Sequence, residues 1–445
     1  MSNLFHSDFN QLGELFMLNN KYGVPCGVWK KPGSYTCTIA VSFFDGVLYE
    51  EKDEWGFSHF LEHVHFKRTK NFKNFFSIAS FIEEVGGKVS AFSTRNSITY
   101  WVQVPRWEVH KAFYVLKEIL TYNNFLDEDV EKEKILIKEE ILREKNNPRF
   151  YNKLFLEEIL LSPSPLARHP LGSVDSISNL DAKSLINFKE SGYGRKNMYI
   201  SITGDTDMDI LNDELNKFLQ SFENGQKKNI VDSGECDVND KKTGKVHILN
   251  YQGAKHTNMA IGWNHPLLDE KEQVTWQVLN SLLGIGFSSL LFQKLREECS
   301  LTYLVQTSLR SYPNNNTWRM DMDLMEENIP KALHEIDRIL LFLGEGKLSE
   351  NYLNMTKKMY FNKILMELDD GLKSAKWMAH SINTFGKLRN FNDLAMKIYD
   401  VTVNDIVKLV QRCILSSPKT VCFAGPPDKI MNYYKESTIS IVDNY

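Results

Sequence analysis

Short apolar runs separated by turn residues dominate the first hundred positions of the chain. Residues 36–43 are rich in β-branched side chains and predict a buried strand. Two further short segments, 88–93 and 98–102, predict strands that form a hairpin. Apolar residues recur at helical spacing over 74–85, and two consecutive glycines mark the end of that helix.

Longer stretches with helical periodicity follow and end at breaker residues. Helices are predicted at 107–122, 128–144, 151–161 and 210–222, and a strand is predicted at 198–202. The second of these helices ends before an Asn-Asn-Pro segment, because the residue before a proline disfavours the helical conformation. The first half of the chain therefore mixes strands and helices along its whole length.

The second half repeats this order of elements. Its predicted strands are 246–249, 259–263, 303–312, 317–324 and a last strand at 420–423, and its predicted helices are 270–283, 288–298, 329–343, 349–367, 371–384 and 403–413. Residues 224–243 contain few apolar side chains and several Lys and Asp, which predicts a linker. We therefore predict an α+β protein with two domains of like topology, 1–223 and 244–445, each a mostly antiparallel sheet packed with helices.

Composition narrows the class of protein. The 445 residues suit two domains, and the hydrophobic fraction of 42% and charged fraction of 25% are typical of soluble globular proteins. The net charge of −4, without a basic cluster, argues against nucleic-acid binding, and no apolar run approaches the roughly 18 residues of a membrane span. Residues 1–8 lack the features of a signal or transit peptide, so we expect a cytoplasmic protein or a mature form whose targeting segment is gone. Six dispersed cysteines, without a Cys-x-x-Cys pair, predict reduced thiols.

The motif His-x-x-Glu-His, formed by His59, Glu62 and His63, carries the clearest chemistry. Residues four apart on a helix project from one side, so both imidazoles and the Glu62 carboxylate reach the same patch of space. Two neutral imidazoles and a neighbouring base are what a zinc hydrolase needs, and this inverted zincin order is a metallopeptidase signature. His65 points away from the pair, and we interpret it as a non-ligand.

A catalytic zinc site needs a third protein ligand, and the predicted helix 128–144 offers several carboxylates. Glu133 and Glu140 are two helical turns apart and share a face, and Glu144 lies one turn further along it. Mixed Glu/Lys helices are usually solvated surfaces, so periodicity alone does not choose among these residues.

With this motif and this carboxylate-rich helix, the chain resembles the pitrilysin/insulysin group of zinc metallopeptidases, the inverzincins. It is most similar to the short, single-clamshell members, which include mitochondrial processing peptidase subunits and their bacterial relatives. The motif with the following Phe66 and Thr69 matches the zinc helix of that family. Its second helix is matched by Lys-Glu-Lys at 132–134, the three aliphatic residues after it, Glu-Glu-Ile at 139–141 and Asn-Pro at 147–148. The resemblance continues through the Gly-Gly turn, His-Pro-Leu-Gly at 169–172, and residues 286–297.

The resemblance implies a role for each site residue. Glu140 is then the third zinc ligand with His59 and His63, Glu62 is the general base, and Glu133 is an outer carboxylate that orients the site. The implied cofactor is one Zn²⁺ per chain. The implied fold is a clamshell in which the linker joins the two domains, with the substrate in a chamber between them.

Two further sets of residues are expected to meet the substrate. In the family an Arg and a Tyr seven apart reach the substrate backbone and the developing oxyanion, and Arg296 and Tyr303 occupy those positions. The family usually has Asn-Ala after the Gly-Gly turn, where this chain has Ser90 and Ala91. We expect Ser90, Ala91 and Phe92 to bind peptide by β-strand addition.

Taken together, these features predict a zinc-dependent metalloendopeptidase that hydrolyses peptides or unfolded polypeptide segments. A different class of function is a non-catalytic or substrate-gripping subunit of a heteromeric processing peptidase. A third possibility is a dedicated leader-peptide processing protease, which no residue of the chain tests. The expected partners are the peptide substrate and a second chain, in a homodimer or in a heterodimer with a related subunit.

Overall fold

The computed structural model describes residues 13–231, 242–265, 268–313, 315–435 and 439–443. The first residues of the chain, residues 232–241 of the predicted linker, and Cys236 within them lie outside the described residues. Within the described part, no helix combines the length and the apolar composition that crossing a membrane requires.

Strands and helices alternate through both halves of the chain. The strands are β1 (Glu14–Met17), β2 (Cys26–Lys30), β3 (Thr36–Phe43), β4 (Lys88–Ser93), β5 (Ile98–Pro105), β6 (Met198–Gly204), β7 (Val246–Asn250), β8 (Thr257–His265), β9 (Val305–Tyr312), β10 (Asn315–Leu324), β11 (Thr420–Gly425) and β12 (Ile439–Asp443). The helices are α1 (Phe57–His65), α2 (Phe75–Glu83), α3 (Val109–Thr121), α4 (Asp127–Lys145), α5 (Pro148–Leu161), α6 (Val174–Ser178), α7 (Ala182–Gly192), α8 (Met208–Gln220), α9 (Glu270–Gly284), α10 (Ile329–Gly344), α11 (Glu350–Leu368), α12 (Gly371–Phe385), α13 (Phe391–Tyr399), α14 (Val403–Val410) and α15 (Pro427–Tyr433). Wider turns of the π type occupy Phe292–Glu298 and Gln411–Leu415.

The chain folds into two compact units, and each contains one six-stranded sheet. The first unit combines residues 13–141, 168–231 and 364–392, and the second combines 142–167, 242–363 and 393–443. The α+β prediction, with helices packed on a sheet in each of two domains, is confirmed.

The sheet of the first unit has the order β1-β2-β6-β3-β5-β4 and is antiparallel except where β2 lies beside β6. Along β3, Ile39, Val41 and Phe43 face the main core, which also contains Phe60 and Leu61 of α1. Because side chains alternate along a strand, the residues between them face the other side of the sheet. Helix α1, which carries the His-x-x-Glu-His motif, is thus fixed against the apolar face of this sheet.

The opposite face of the first sheet is covered by α12, which comes from the second half of the sequence. Gly371, at the start of α12, allows the helix to approach closely, since a Cβ there would lie 2.8 Å from Oγ1 of Thr38. Further along the helix, Ala379 and Ile382 pack against Tyr199 of β6. The lack of a side chain at Gly371 therefore lets the start of this helix lie close to the sheet.

The second unit has a sheet of order β12-β7-β11-β8-β10-β9, in which β7 runs parallel to both of its neighbours. Helix α5, from the first half of the sequence, covers one face of it with Leu156 and Leu160. Ion pairs also bind this helix to β10, among them Lys153 with Asp321 at 2.9 Å.

The compact units therefore depart from the predicted domain bounds in three places. Helix α5 packs within the second unit, α12 packs within the first, and residues 224–231 of the predicted linker belong to the first unit. The linker segment is held there by Lys228, whose Nζ lies 3.1 Å from Asp45, and by a hydrogen bond from Asn197 to the carbonyl of Gln226. The apolar pattern of a helix shows that one side is buried, but it does not show which sheet buries it.

Other differences concern short elements. Helices α6, α7, α13 and α15 were not predicted, and the prediction that 420–423 is the last strand was wrong. That segment is β11, an interior strand, and β12 follows it and pairs with β7. A five-residue strand at a sheet edge and helices of two or three turns contain too few apolar positions to show a clear period.

Candidate metal centre

The sequence around α1 fixes where this helix begins. Gly56 precedes the helix with φ +94°, and a Cβ at this position would lie 2.8 Å from the Cα of Gly172. The carboxylate of Glu50 accepts hydrogen bonds from the backbone N–H groups of Gly56 at 2.9 Å and Ser58 at 2.8 Å. These N–H groups have no partner within the helix, so Glu50 takes the place of a local cap and holds the start of α1.

Glu50 is fully buried, and its environment changes its acidity. Burial raises the pKa of this carboxyl group to about 7, although hydrogen bonds from Ser58 and Gly56 act in the opposite direction. A second carboxylate, Asp45, accepts a hydrogen bond from the Ser58 hydroxyl at 3.0 Å and pairs with Lys228. Two acidic side chains and one lysine thus secure the N-terminal end of the helix.

His59, His63 and Glu140 meet at one point on the surface of α1. The Nε2 atoms of His59 and His63 lie 3.6 Å and 3.7 Å from Oε2 of Glu140. One ligand atom from each residue falls within 4.8 Å of the others, and no second cluster of this kind occurs in the described part of the chain. The structure therefore brings together the three residues that the sequence analysis expected as ligands.

The outer nitrogen of His63 is held by a buried carboxylate. Its Nδ1 lies 3.0 Å from Oε2 of Glu133, and the other oxygen of Glu133 pairs with Lys67. Burial opposes charge on His63, but the hydrogen bond to Glu133 and the charges of Glu133, Glu62 and Glu140 outweigh it and raise its pKa. Burial also acts to raise the pKa of Glu133, but hydrogen bonds from His63 and Lys67 outweigh it, so its pKa is lowered.

The outer nitrogen of His59 has a different partner. Its Nδ1 lies 3.1 Å from Oγ of Ser93, the last residue of β4. The Glu62 carboxylate is 3.8 Å from the same nitrogen, beyond hydrogen-bond distance. Both histidines therefore direct Nε2 towards Glu140 while Nδ1 is engaged elsewhere.

This donor set fits a zinc ion. Nε2 of His59 is buried and has no hydrogen-bond partner among the described residues, and the same holds for Oε2 of Glu62. Two imidazole nitrogens and one carboxylate oxygen form the type of ligand set found in catalytic zinc sites, which keep one position for water or substrate. The residues that would hold the metal are His59, His63 and Glu140, and Glu62 would lie beside it.

The predicted substrate strand is the edge strand of the first sheet. β4 pairs only with β5, through Ser90 opposite Trp101 and Phe92 opposite Thr99, so its other edge is not paired with any strand of the described chain. Ser90 is exposed, and Ala91 and Phe92 are half-buried. The side chain of Phe92 lies under the ammonium group of Lys376, 4.2 Å from the ring centroid.

Arg296 and Tyr303 lie together in the second unit. The guanidinium of Arg296 is 4.4 Å from the centroid of the Tyr303 ring, and the Tyr303 side chain is 79% exposed. The metal cluster belongs to the first unit. Contact of this pair with substrate therefore stays a prediction from the family resemblance.

Sequence reasoning missed three residues near the metal cluster. Lys67 follows His63 by four positions, a helical spacing that could have identified it. Ser93 and Glu50 gave no such signal, because their contacts with α1 come from folding and not from spacing in the sequence.

His65 is buried and directs Nδ1 to the hydroxyl of Tyr100 at 2.7 Å, and burial, together with the charge of Lys189, holds its pKa well below the ordinary value.

Comparison with known families gives matches over most of the chain. Residues 28–172 match the model described as insulinase, peptidase family M16, and residues 179–360 match the model described as the peptidase M16 inactive domain. The three candidate ligands, Glu62 and Glu133 lie in the first matched region, and Arg296 and Tyr303 lie in the second.

Relatives and solved structures agree with these matches. The chain is 24% identical over 406 residues to an uncharacterized zinc protease of Rickettsia felis, covering 88% of this chain and 94% of that protein. It is 23% identical over 347 residues to an uncharacterized zinc protease of Bacillus subtilis, covering 78% and 83%. A protease from Helicobacter pylori superposes with a TM-score of 0.84 at 20% identity, covering 93% of this chain and 100% of that one. A peptidase M16 inactive domain from Pseudomonas fluorescens gives 0.82 at 14% identity, covering 93% and 98%.

Proposed function

This chain belongs to the insulinase peptidase family, M16, and from that premise we propose that it is a zinc-dependent endopeptidase acting on peptides or unfolded polypeptide segments. The observation that carries the proposal is the convergence of His59, His63 and Glu140, with Glu62 beside them. A purely structural cluster of this kind would not need two imidazoles that both turn Nε2 to the same carboxylate.

Each residue has a distinct chemical role. A zinc ion at this cluster would lower the pKa of a water molecule and polarise the scissile carbonyl group. Glu62 accepts the proton of the attacking water and delivers it to the leaving amine. Its Oε2 is buried and makes no hydrogen bond among the described residues, which leaves this oxygen available for the proton. Glu133 fixes the orientation of His63 through Nδ1.

Substrate binding is assigned to β4 and to the pair Arg296 and Tyr303. A peptide that adds to the outer edge of β4 would form main-chain hydrogen bonds, with Ser90, Ala91 and Phe92 as its contacts. Arg296 and Tyr303 would donate hydrogen bonds to the substrate, including the carbonyl oxygen that becomes negative in the transition state. This assignment follows from the family resemblance and from the exposure of Tyr303.

The decisive experiment compares four chains for zinc content and for cleavage of a pool of internally quenched peptides. The parent should contain one zinc per chain and cleave the pool, and a chelator should abolish cleavage. Glu62→Gln should keep its zinc and lose turnover, whereas Glu140→Gln should lose both. Glu139→Gln is the matched control, because Glu139 is exposed on the same helix as Glu140.

The outcomes separate the competing functions. Full peptidase activity in Glu62→Gln would refute the proposed mechanism. A parent chain that holds zinc but cleaves no peptide would instead favour the non-catalytic subunit of a processing peptidase. The predicted dimer and cytoplasmic location stay predictions, and light scattering and cell fractionation would measure them.

A further inference from the structure

Ser93 joins the metal cluster to the proposed substrate strand. It ends β4, where it pairs with Ile98 of β5, and its hydroxyl lies 3.1 Å from Nδ1 of His59. Among the described residues no other group lies within hydrogen-bond distance of this nitrogen. The Glu62 carboxylate, at 3.8 Å, is too far away. The orientation of the His59 ring therefore depends on a side chain of the strand.

A metal at Nε2 requires the proton of neutral His59 to lie on Nδ1, and the Ser93 hydroxyl is placed to accept it. A neutral imidazole has one N–H donor and one acceptor nitrogen, and the hydrogen bond at one nitrogen selects the tautomer. When Nδ1 donates to the Ser93 hydroxyl, Nε2 keeps its lone pair and faces Glu140. Without that acceptor, the proton can move to Nε2, and this tautomer cannot bind a metal through Nε2.

The two histidines are held by unlike partners. His63 donates to Glu133, a buried carboxylate on α4, and this carboxylate also pairs with Lys67. His59 Nδ1 instead lies beside a neutral hydroxyl at the end of an edge strand. The His59 contact is the weaker of the two, since hydrogen bonds to ionised groups are about twice as strong as neutral ones.

The strand geometry places this hydroxyl on the correct face. Side chains alternate along β4, so Ala91 and Ser93 face α1, while Phe92 faces Lys376 of α12 on the other side of the sheet. Ser90 shares the side of Phe92. A change at Ser90 therefore alters the strand without altering the partner of His59.

We propose that Ser93 is a positioning residue that holds His59 in the tautomer competent to bind zinc, so that the strand assigned to the substrate also shapes the metal site. This inference rests on the proposed zinc site but does not require that the chain cleave peptides. Ser93 acts through His59 and not on the reacting atoms.

The test measures zinc affinity of the metal-free chain by competition with a chromophoric chelator. Ser93→Ala should weaken zinc binding about tenfold, the lower end of the effect of removing an outer partner of a metal ligand. Ser93→Thr keeps the hydroxyl and should stay within about threefold of the parent, as should the control Ser90→Ala. Nitrogen-15 spectra of histidine-labelled chains, with His59 assigned by His59→Asn, should show the proton on Nδ1 in the parent and partly on Nε2 in Ser93→Ala.

Each outcome decides the inference. Unchanged zinc affinity in Ser93→Ala, an equal loss in Ser90→Ala, or a failure of Ser93→Thr to retain affinity would overturn it. A parent chain that binds no zinc would overturn it together with the proposed function. A chain that binds zinc in a Ser93-dependent manner but cleaves no peptide would leave the inference standing and refute only the peptidase activity.

Discussion

Replacing Glu133 with glutamine tests whether an outer carboxylate determines the affinity of the metal site. Glu133 is 1% exposed, with one oxygen 3.0 Å from Nδ1 of His63 and the other paired with Lys67. A carboxylate accepts both hydrogen bonds, but an amide has one acceptor and one donor end. If the amide oxygen turns to His63, its NH₂ group meets the ammonium of Lys67. If the oxygen turns to Lys67, the NH₂ group meets Nδ1 of His63 and favours the tautomer whose Nε2 cannot bind metal.

Either orientation weakens zinc binding, and the magnitude follows from the loss of one outer partner. Such losses reduce metal affinity by about 10- to 100-fold, which corresponds to about 1.4 to 2.8 kcal/mol. The assay is competition of the metal-free chain against a chromophoric chelator at fixed pH, with thermal unfolding of the same samples to confirm that they are folded. Glu131→Gln is the control, since Glu131 is exposed on the same helix and pairs with Lys134.

The double variant Lys67→Met/Glu133→Gln separates the proposed cause from a general disturbance. Without Lys67, the amide oxygen can turn to His63 without bringing its NH₂ group against an ammonium, so zinc affinity should recover part of its loss. Zinc binding by Glu133→Gln within about threefold of the parent would refute this role of Glu133. A double variant as weak as the single one would show that the conflict between the two donors is not the cause.

Three further changes test other parts of the structure. Glu50→Gln removes the carboxyl group whose pKa is about 7 in the fold, against an ordinary value of 4.5. The stability linked to this raised pKa is fully present below about 4.5, and about 3 kcal/mol of it is lost as the pH rises through 7. The free energy of urea unfolding of the metal-free variant should therefore change less between pH 5 and 8 than that of the parent, and parallel profiles would contradict this. Arg68→Ala removes two hydrogen bonds, 2.5 and 2.9 Å long, to the carboxylate of the buried Asp129, and should lower the free energy of unfolding by about 2 kcal/mol. An unchanged denaturation midpoint would show that the pair contributes nothing. Tyr303→Phe should lower kcat about 100-fold with zinc affinity unchanged, and an unchanged kcat would remove Tyr303 from the catalytic groups.

Long elements were predicted from the sequence nearly to their ends. The helix that carries Glu133 and Glu140 is one example, with 128–144 predicted and Asp127–Lys145 observed. Glu, Lys, Leu and Arg make up most of it and favour a helix, and the Asn-Asn-Pro segment that follows marks its end. The helices of 391–399 and 427–433 and the strand of 439–443 were missed, since each offers only a few positions from which a period could be read.

The residues of the metal site also differ in how far the local sequence predicts their positions. His59, Glu62 and His63 lie within one helix, so their relative positions follow from 3.6 residues per turn and are contained in the local sequence. Periodicity left several carboxylates open as the third ligand, and the family resemblance selected Glu140. The fold brings that residue to both histidines, because α4 packs beside α1 and turns this side chain towards them.

The sequence by itself determined the zinc-binding motif, the α+β class and the long helices and strands, since all of these depend on residues that are neighbours in the chain. Only the tertiary structure decided which sheets α5 and α12 cover, that Glu50 holds the start of α1, and that Ser93 is the partner of His59. The reason is physical. A periodic pattern specifies which side of an element is buried, whereas the partner on that side is set by packing between residues far apart in the chain, and a single hydroxyl or carboxylate leaves no periodic trace.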